Sequence, residues 1–322
     1  MMGRRGVALL ALVWLMAPYA VGSDASPATI DWQTLGWDGV DRTCGVYVPD
    51  ILESPAPLVV LLHGGGGSAS KTWAQEHGRS WKALADEHGF ALLLPEGRSD
   101  PGDPDAHHWN DCRVEITSED AASDEEDVGF ILHAIDSVVA EGSIDADRVF
   151  VTGASNGGMM TFRLALETGG HFSAAAAIIA NQPNPSECRP STEPIPILIM
   201  NGTDDSLVPY EGGCVAGESC ERGRVMSTPE TVSFWVEVNR ASETPTVERL
   251  PNRSWLDGST VTVYAFDAGV EGADVVYYHV KGGGHAVPGF ERPSALRLAI
   301  GGPKNRDIDG PTEIWSFFES QD

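Results

Sequence analysis

The stretch Arg148-Val-Phe-Val-Thr-Gly-Ala-Ser-Asn-Gly-Gly-Met-Met160 decides how the rest of this 322-residue sequence folds. It predicts a short apolar strand, a sharp turn with Ser155 at its tip, and the start of a helix. Gly153-Ala-Ser-Asn-Gly157 matches the G-x-S-x-G pattern of a nucleophile elbow, where side chains flanking the strained turn would collide. The serine hydroxyl would lie at a helix N-terminus, where developing negative charge is favoured. Ser155 is therefore a candidate nucleophile.

Apolar runs alternate with helical patterns along most of the sequence. Continuous apolar runs, typical of strands buried on both faces, occupy 57–62, 90–95 and 195–200, and an earlier strand is expected at 43–49. Helices are predicted at 81–88, 128–141, 229–239 and 312–319. This alternation predicts an α/β fold with a mostly parallel central sheet and helices on both faces. With 42% hydrophobic residues and no repeat or linker, residues 23–322 are expected to form a single domain.

The first 22 residues have the layout of a secretory signal peptide. Arg4 and Arg5 precede an apolar run at 6–17, and small residues follow at 20–22. The run is too short for a transmembrane helix. We therefore expect residues 1–22 to be removed and the mature protein to be exported, to the periplasm or the extracellular space.

Charge and cysteines limit the partners and the compartment. The formal net charge of −26 repels nucleic acid and anionic membranes, so neither is expected as a partner, and a monomer is predicted. Five cysteines fit an oxidising compartment. Cys214 and Cys220 are the favoured disulfide, and Cys112–Cys188 is a second candidate that would leave Cys44 free. No Cys/His metal pattern is present, so no metal and no cofactor are expected.

Four loops that follow predicted strands carry residues suited to nucleophilic catalysis. In a doubly wound sheet such loops meet at the carboxyl ends of the strands. They contain the run His63-Gly-Gly-Gly-Gly67, Ser155, the pair Asp204/Asp205, and His285. The chain order serine, acid, histidine is the one that the nucleophile-elbow fold uses.

Each of these residues has a predicted role. His285, which follows three glycines, would take the proton of Ser155, and an aspartate would hold its imidazole in the correct tautomer. We choose Asp205 over Asp204, because Asp204 lies closer to the strand. The backbone N–H groups of Asn156 and of the Gly65–Gly66 segment would form the oxyanion hole.

The polar segment 98–127 is predicted to be mostly loop. His107 and His108 are expected to be exposed, whereas His63 is expected to be structural. Trp109 is either a core aromatic or a wall of the substrate cleft, and we assign it with Asn110 to substrate binding. The acidic cluster 119–127 is expected to be a solvated loop, because it lacks EF-hand spacing, with a calcium site as the alternative. Its last residue, Asp127, is a candidate cap for the following helix.

The ordered motifs resemble those of a known family. They are Leu62-His-Gly-Gly-Gly-Gly67, Trp109-Asn110, Asp127-Val-Gly-Phe-Ile131, the stretch 148–160, Asn201-Gly-Thr-Asp-Asp-Ser-Leu-Val-Pro209 and Gly282-Gly-Gly-His-Ala-Val-Pro-Gly289. From about Cys44 to Phe318 the sequence resembles the secreted polyhydroxybutyrate-depolymerase-like esterases, which are related to feruloyl esterases of carbohydrate esterase family 1. The resemblance implies an α/β-hydrolase fold and a serine esterase. The family's D-x-x-V-P acid motif falls on Asp205.

Departures from the family pattern bear on the substrate. Val287 stands where the family often has tryptophan, and the serine motif is G-A-S-N-G rather than G-L-S-S-G. With no polymer-binding module expected after the closing helix, these features favour soluble esters over solid polyester. Feruloyl-type phenolic esters and short hydroxyalkanoate esters are the expected substrates, with acetyl xylan as the alternative. A serine peptidase and a non-catalytic binding protein are alternatives of other classes.

Overall fold

A computed structural model describes residues 29–52, 54–114, 116–117, 126–189 and 193–321. The predicted signal peptide 1–22 and most of the acidic cluster lie outside the described residues. In chain order the strands are β1 (Asp31–Trp37), β2 (Val40–Tyr47), β3 (Ala56–Leu62), β4 (Ala91–Pro95), β5 (Arg98–Asp100), β6 (Asp103–His108), β7 (Ile144–Ala154), β8 (Ala174–Ile178), β9 (Ile197–Gly202), β10 (Gly213–Cys214), β11 (Arg224–Val225), β12 (Thr246–Arg249), β13 (Thr260–Phe266) and β14 (Val275–Lys281).

Seven helices accompany these strands in the described chain. They are α1 (Ala69–Ala74), α2 (Glu76–His88), α3 (Asp127–Val139), α4 (Asn156–Glu167), α5 (Thr228–Val238), α6 (Ala295–Gly301) and α7 (Gly310–Glu319). The start of α5 shows why helices begin where they do. Ser227 and Glu230 satisfy each other's backbone N–H groups in a capping box, with proline in the first turn. None of the described helices is both long and apolar enough to cross a membrane.

Ten of the strands form one sheet in the order β1-β2-β4-β3-β7-β8-β9-β14-β13-β12. The six central strands, from β4 to β14 in this order, are parallel, and antiparallel strands extend both edges. The carboxyl ends of β3, β7, β9 and β14 therefore lie at the same edge. These are the strands that lead into His63, Ser155, Asp205 and His285, so the predicted convergence of the four loops is confirmed.

Both faces of the sheet are covered, as the continuous apolar runs predicted. Along β3, Leu58, Val60 and Leu62 belong to one core cluster, and Val59 and Leu61 belong to the other. The first cluster includes residues of α3, α4 and α5, and the second includes residues of α1, α2 and α7. The α/β-hydrolase architecture predicted from the sequence is thus confirmed.

The segment predicted as polar loop departs most from expectation. It contains the hairpin β5–β6, which forms a separate two-stranded sheet. The helix that follows is capped by the Glu126 side chain, which accepts from the Gly129 N–H (2.9 Å), so the assignment of the cap to Asp127 is wrong. Asp127 is instead fully buried and pairs with Arg42 (2.7 Å). This contact ties α3 to β2.

The disulfide pattern agrees with the sequence prediction. Cys112 is joined to Cys188, and Cys214 is joined to Cys220. Cys44 is a buried free thiol on β2, and desolvation raises its pKa to about 11. It is therefore protonated at neutral pH and packs as a small apolar residue.

Candidate active site

Ser155 lies at the sharp turn between β7 and α4. Its backbone has φ 58° and ψ −122°, in a region that residues other than glycine rarely adopt. The strain is tolerated because the chain is packed tightly on both sides. A Cβ at Gly153 would overlap the Gly157 carbonyl, and one at Gly157 would overlap the His63 carbonyl. The elbow that the glycine spacing predicted is therefore present in the backbone.

His285 and Asp205 are joined by a hydrogen bond of 2.7 Å between Nδ1 and Oδ2. The other carboxylate oxygen of Asp205 accepts from the backbone N–H groups of Leu207 and Val208 (both 2.8 Å), which fixes its orientation. An ionised carboxylate accepts a hydrogen bond from the Nδ1–H, so the proton stays on Nδ1 and Nε2 is left free to act as the proton acceptor. Asp204 is exposed and accepts from the Thr203 hydroxyl instead (2.8 Å). The structure thus brings Asp205, and not Asp204, to His285.

The glycines before His285 allow its loop to approach a neighbouring segment closely. Gly282 has φ +75°, and a Cβ at Gly284 would overlap the Gly301 carbonyl. The His285 N–H donates to that same carbonyl (2.5 Å), and the Gly284 N–H donates to Pro303 (2.6 Å). The imidazole is therefore held from its backbone as well as through Asp205.

Ser155 and His285 line one cleft, with a volume of about 750 Å³, at the carboxyl edge of the sheet. In the part of the chain that the structure describes, no hydrogen bond joins Ser155 to His285. Hydrogen bonds between catalytic groups often tighten only when substrate is bound, so this geometry is compatible with proton transfer.

Asn156, the first residue of α4, is held by its side chain. Its Oδ1 accepts from the Trp109 N–H (2.8 Å), and its Nδ2 donates to the Trp109 carbonyl (3.0 Å) and to Asp111 Oδ2 (2.7 Å). Asp111 is in turn paired with the buried Arg113 (2.8 Å). A backbone N–H in the first turn of a helix has no acceptor within the helix, so the Asn156 N–H is a suitable oxyanion donor.

The glycine-rich loop after β3 contributes one further candidate donor rather than two. The Gly66 N–H donates to the His107 carbonyl (3.0 Å), which argues against Gly66 as an oxyanion donor. The Gly65 N–H has no acceptor among the described residues. Gly65 also packs against the site, because a Cβ built on it would come within 3.3 Å of Asn156 Cβ. Gly65 and Asn156 remain the candidate pair.

His63 is structural, as the sequence analysis expected. It is buried, its Nε2 accepts from the Gly97 N–H (2.9 Å), and Nδ1 therefore carries the proton and donates to the Gly64 carbonyl (2.9 Å). Desolvation lowers the pKa of His63 to about 3, so that it is neutral in the native protein at pH 7. Its ring thus supports the glycine-rich loop without adding charge.

Three expectations for residues 107–110 are wrong. His108 is buried and His107 is only partly exposed, because both lie on β6 rather than in a loop. Trp109 is 1% exposed, packs against His63 with its ring tilted by 32°, and donates its indole N–H to the His63 carbonyl (2.9 Å), so it is a core residue and not a wall of the cleft. Asn110 does not line the cleft either; its N–H donates to Asp127 (2.8 Å).

His108 and Asp100 form a second histidine–aspartate pair that the sequence analysis missed. His108 Nδ1 lies 2.6 Å from Asp100 Oδ1, and His108 Nε2 is buried without a hydrogen-bond partner among the described residues. A Cβ on Gly65 would come within 2.9 Å of that nitrogen. Only the β5–β6 hairpin brings these two residues together, and no sequence motif signals it.

The described residues contain one group with the spacing of metal ligands: Cys112, Glu167 and Cys188. The two sulfurs form a disulfide and cannot act as thiolate ligands. The site instead combines a serine at a helix N-terminus with a histidine that is hydrogen-bonded to a carboxylate. This combination is suited to acyl transfer.

Comparison with known proteins gives relatives among esterases. Residues 49–221 match the phospholipase/carboxylesterase family. One relative is NocK of Nocardia uniformis subsp. tsuyamanensis, which is named as an inferred esterase. It is 33% identical over 78% of this chain and 71% of its own. Poly(3-hydroxyalkanoate) depolymerase C of Paucimonas lemoignei is 28% identical over 75% of this chain and 58% of its own.

A shorter sequence match and one solved structure are also similar to this chain. Feruloyl esterase B of Thermothelomyces thermophilus is 34% identical over 37% of this chain and 38% of its own. Acetyl xylan esterase from Aspergillus awamori superimposes with a TM-score of 0.54 at 17% identity, over 80% of this chain and 95% of its own. The structural match shows a shared fold.

Proposed function

Because this chain belongs to the phospholipase/carboxylesterase family, we propose that it is a secreted serine carboxylic ester hydrolase that works through an acyl-enzyme on Ser155. One contact supports this above all: His285 Nδ1 bonds to Asp205 Oδ2 at 2.7 Å, in a cleft that Ser155 also lines. The two disulfides support an oxidising compartment. We further propose that residues 1–22 are a signal peptide and that residues 23–322 form one monomeric esterase domain.

Each chemical step has a residue to carry it. Ser155 Oγ attacks the ester carbonyl carbon while His285 Nε2 takes the hydroxyl proton. Asp205 stabilises the imidazolium that results. The N–H groups of Asn156 and Gly65 bind the negative oxygen of the tetrahedral intermediate. The C–O bond of the ester breaks, and the alcohol leaves with the proton from His285. Water then attacks the acyl-enzyme by the same route and releases the acid.

The substrates we propose are feruloyl-type phenolic esters or short hydroxyalkanoate esters. Relatives named feruloyl esterase B and poly(3-hydroxyalkanoate) depolymerase C support these two classes. The cleft volume of about 750 Å³ is large enough for a drug-sized ligand, as either ester would be.

A rate panel with one variant tests the proposal. Wild-type protein is assayed on p-nitrophenyl acetate, methyl ferulate, hydroxybutyrate oligomers and acetylated xylan, and Ser155→Ala is assayed beside it. We expect the variant to lose nearly all activity on every ester that the wild type cleaves, by at least about 10³-fold. Full activity of Ser155→Ala on p-nitrophenyl acetate would contradict the proposed nucleophile.

A further inference from the structure

The charge of the cleft is opposite to that of the protein. The chain has a formal net charge of −26 and contains 21 Lys and Arg residues. Seven of these line the cleft, against three acidic residues. A cleft lined by one sign of charge focuses the field at its mouth and raises the local concentration of oppositely charged ligands. A positive cleft on an acidic protein therefore attracts anions that the rest of its surface repels.

Most of the cationic side chains in the cleft already have partners. Lys304 pairs with Glu76, Arg79 pairs with Glu291 (2.7 Å), and Arg113 pairs with Asp111 (2.8 Å). Lys71 donates to the Asp105 carbonyl (2.5 Å). These contacts neutralise or anchor part of the charge and give the cleft its shape.

Arg292 and Arg297 differ from this set. Both are exposed, both line the cleft, and neither has a carboxylate partner in the described ranges of the chain. They belong to the segment 285–302, which begins at His285 and contributes one wall of the cleft. Within that wall, residues 295–300 of α6 are all exposed, including Leu296 (70%). Packing therefore does not explain why the two arginines are where they are.

The neighbouring His77 responds to the same charges. The pKa of His77 is lowered to about 4, mainly by desolvation and further by the positive charges of Arg297, Lys304 and Arg79. The imidazole is therefore neutral at pH 7. The positive field at this end of the cleft is therefore carried by the arginine and lysine side chains and not by His77.

We propose that Arg292 and Arg297 bind a carboxylate on the ester substrate, so that the enzyme prefers an ester that carries a free acid group. A guanidinium pairs with a carboxylate through two parallel N–H···O bonds, which gives orientation as well as attraction. This inference rests on the proposed esterase function. Between the two substrate classes it favours hydroxyalkanoate oligomers, whose terminal unit carries a carboxylate, over neutral feruloyl esters.

Two substrates that differ in one charge test this inference. The first is the linear dimer of 3-hydroxybutyrate with its free carboxylate, and the second is the same dimer as its terminal primary amide. Both contain the same scissile ester. We expect kcat/KM to be roughly 3- to 30-fold higher for the acid, mainly through KM, as for two partly exposed charge pairs. The ratio should fall towards one as salt is raised, because exposed charges are screened.

Variants assign the preference to the two arginines. The double variant Arg292→Gln/Arg297→Gln should lose most of the preference for the acid. Arg249→Gln/Arg253→Gln is the matched control, because it also removes two positive charges, from exposed positions outside the cleft; it should keep the wild-type ratio. Equal rates for acid and amide in the wild type, or an unchanged ratio in the double variant, would overturn the inference. Failure of the esterase proposal is distinguishable, since it would appear as activity in Ser155→Ala.

Discussion

The side chain of Asn156 and the backbone of Trp109 are joined by two hydrogen bonds that run in opposite directions. Asn156 Oδ1 accepts from the Trp109 N–H (2.8 Å), and Asn156 Nδ2 donates to the Trp109 carbonyl (3.0 Å). The segment that contains Trp109 also holds the glycine-rich loop, since the His107 carbonyl accepts from Gly66. One segment thus sets the distance between the two proposed oxyanion donors, Asn156 and Gly65.

Replacing Asn156 with alanine should therefore reduce turnover without removing the backbone donor. We expect kcat to fall by about 10- to 100-fold with a smaller change in KM, because a small displacement of a catalytic group is sufficient for such a loss. Thr161→Val is the control: its hydroxyl is buried on the same helix and bonds only within it, to Gly157 (2.9 Å). Steady-state kinetics on p-nitrophenyl acetate measure both. If the two variants lose kcat equally, the loss reflects helix stability and not positioning.

The two adjacent aspartates give the sharpest test of the acid. Asp205→Asn should lower kcat by about 10⁴-fold, because an amide in place of the carboxylate favours the wrong tautomer of His285. Asp204→Asn should change kcat by less than about twofold, since that side chain is exposed and contacts Thr203. If Asp204→Asn were the impaired variant instead, the carboxylate that orients His285 would have to be assigned to Asp204.

His63 should make the protein less stable in acid. Its pKa is lowered from 6.5 to about 3, so the unfolded chain binds a proton more readily than the native one. The stability that neutral His63 contributes is present above about pH 6.5 and is lost as the pH falls towards 3, by at most about 1.4 kcal/mol per pH unit. Urea unfolding of wild type and His63→Gln between pH 4 and 7 measures this. The variant should show the shallower decline, and parallel curves would exclude the assignment.

Glu96 should have the opposite effect on the pH dependence of stability, because its ionisation destabilises the protein as the pH rises. Desolvation raises its pKa from 4.5 to about 7, although its side chain accepts from the Ala69 N–H (2.9 Å). The stability that the neutral carboxyl contributes is present below about pH 4.5 and is lost as the pH rises through 7. Glu96→Gln keeps the acceptor and cannot ionise. Between pH 5 and pH 8 we expect the variant to gain about 1–3 kcal/mol relative to wild type; no gain in urea unfolding would show that Glu96 is ionised in the native protein at pH 5.

Local patterns in the sequence were sufficient to predict the fold and the candidate catalytic residues. The G-x-S-x-G spacing forces the backbone at Ser155 into one turn, and continuous apolar runs require strands covered on both faces. Parallel strands then bring their carboxyl ends to one edge, so the loops containing Asp205 and His285 had to lie near Ser155. These predictions needed only periodicity, sterics and chain order.

Contacts between segments without such patterns were not predictable. The polarity of segment 98–127 indicated a loop, yet β5 and β6 pair there and bury His108 against Asp100. Trp109 was expected to line the cleft, but its buried position depends on a hydrogen bond to the His63 carbonyl across 46 residues of sequence. Arg292 and Arg297 have no carboxylate partner among the described residues, and this too is a property of the folded cleft that charge composition does not reveal.

The exposure of α6 has a consequence for how this enzyme can change. Surface substitutions away from special contacts usually alter the free energy of unfolding by less than about 0.5 kcal/mol. Residues 295–300 are all exposed, Leu298 and Ile300 by about half (48% and 55%), whereas Asn156, Trp109 and Asp111 are buried and bonded to one another. The exposed side chains of α6 can therefore be replaced by mutation with little risk to folding. An evolving lineage, or a directed-evolution library confined to this helix, can explore new ester preferences while the hydrolytic machinery is inherited intact.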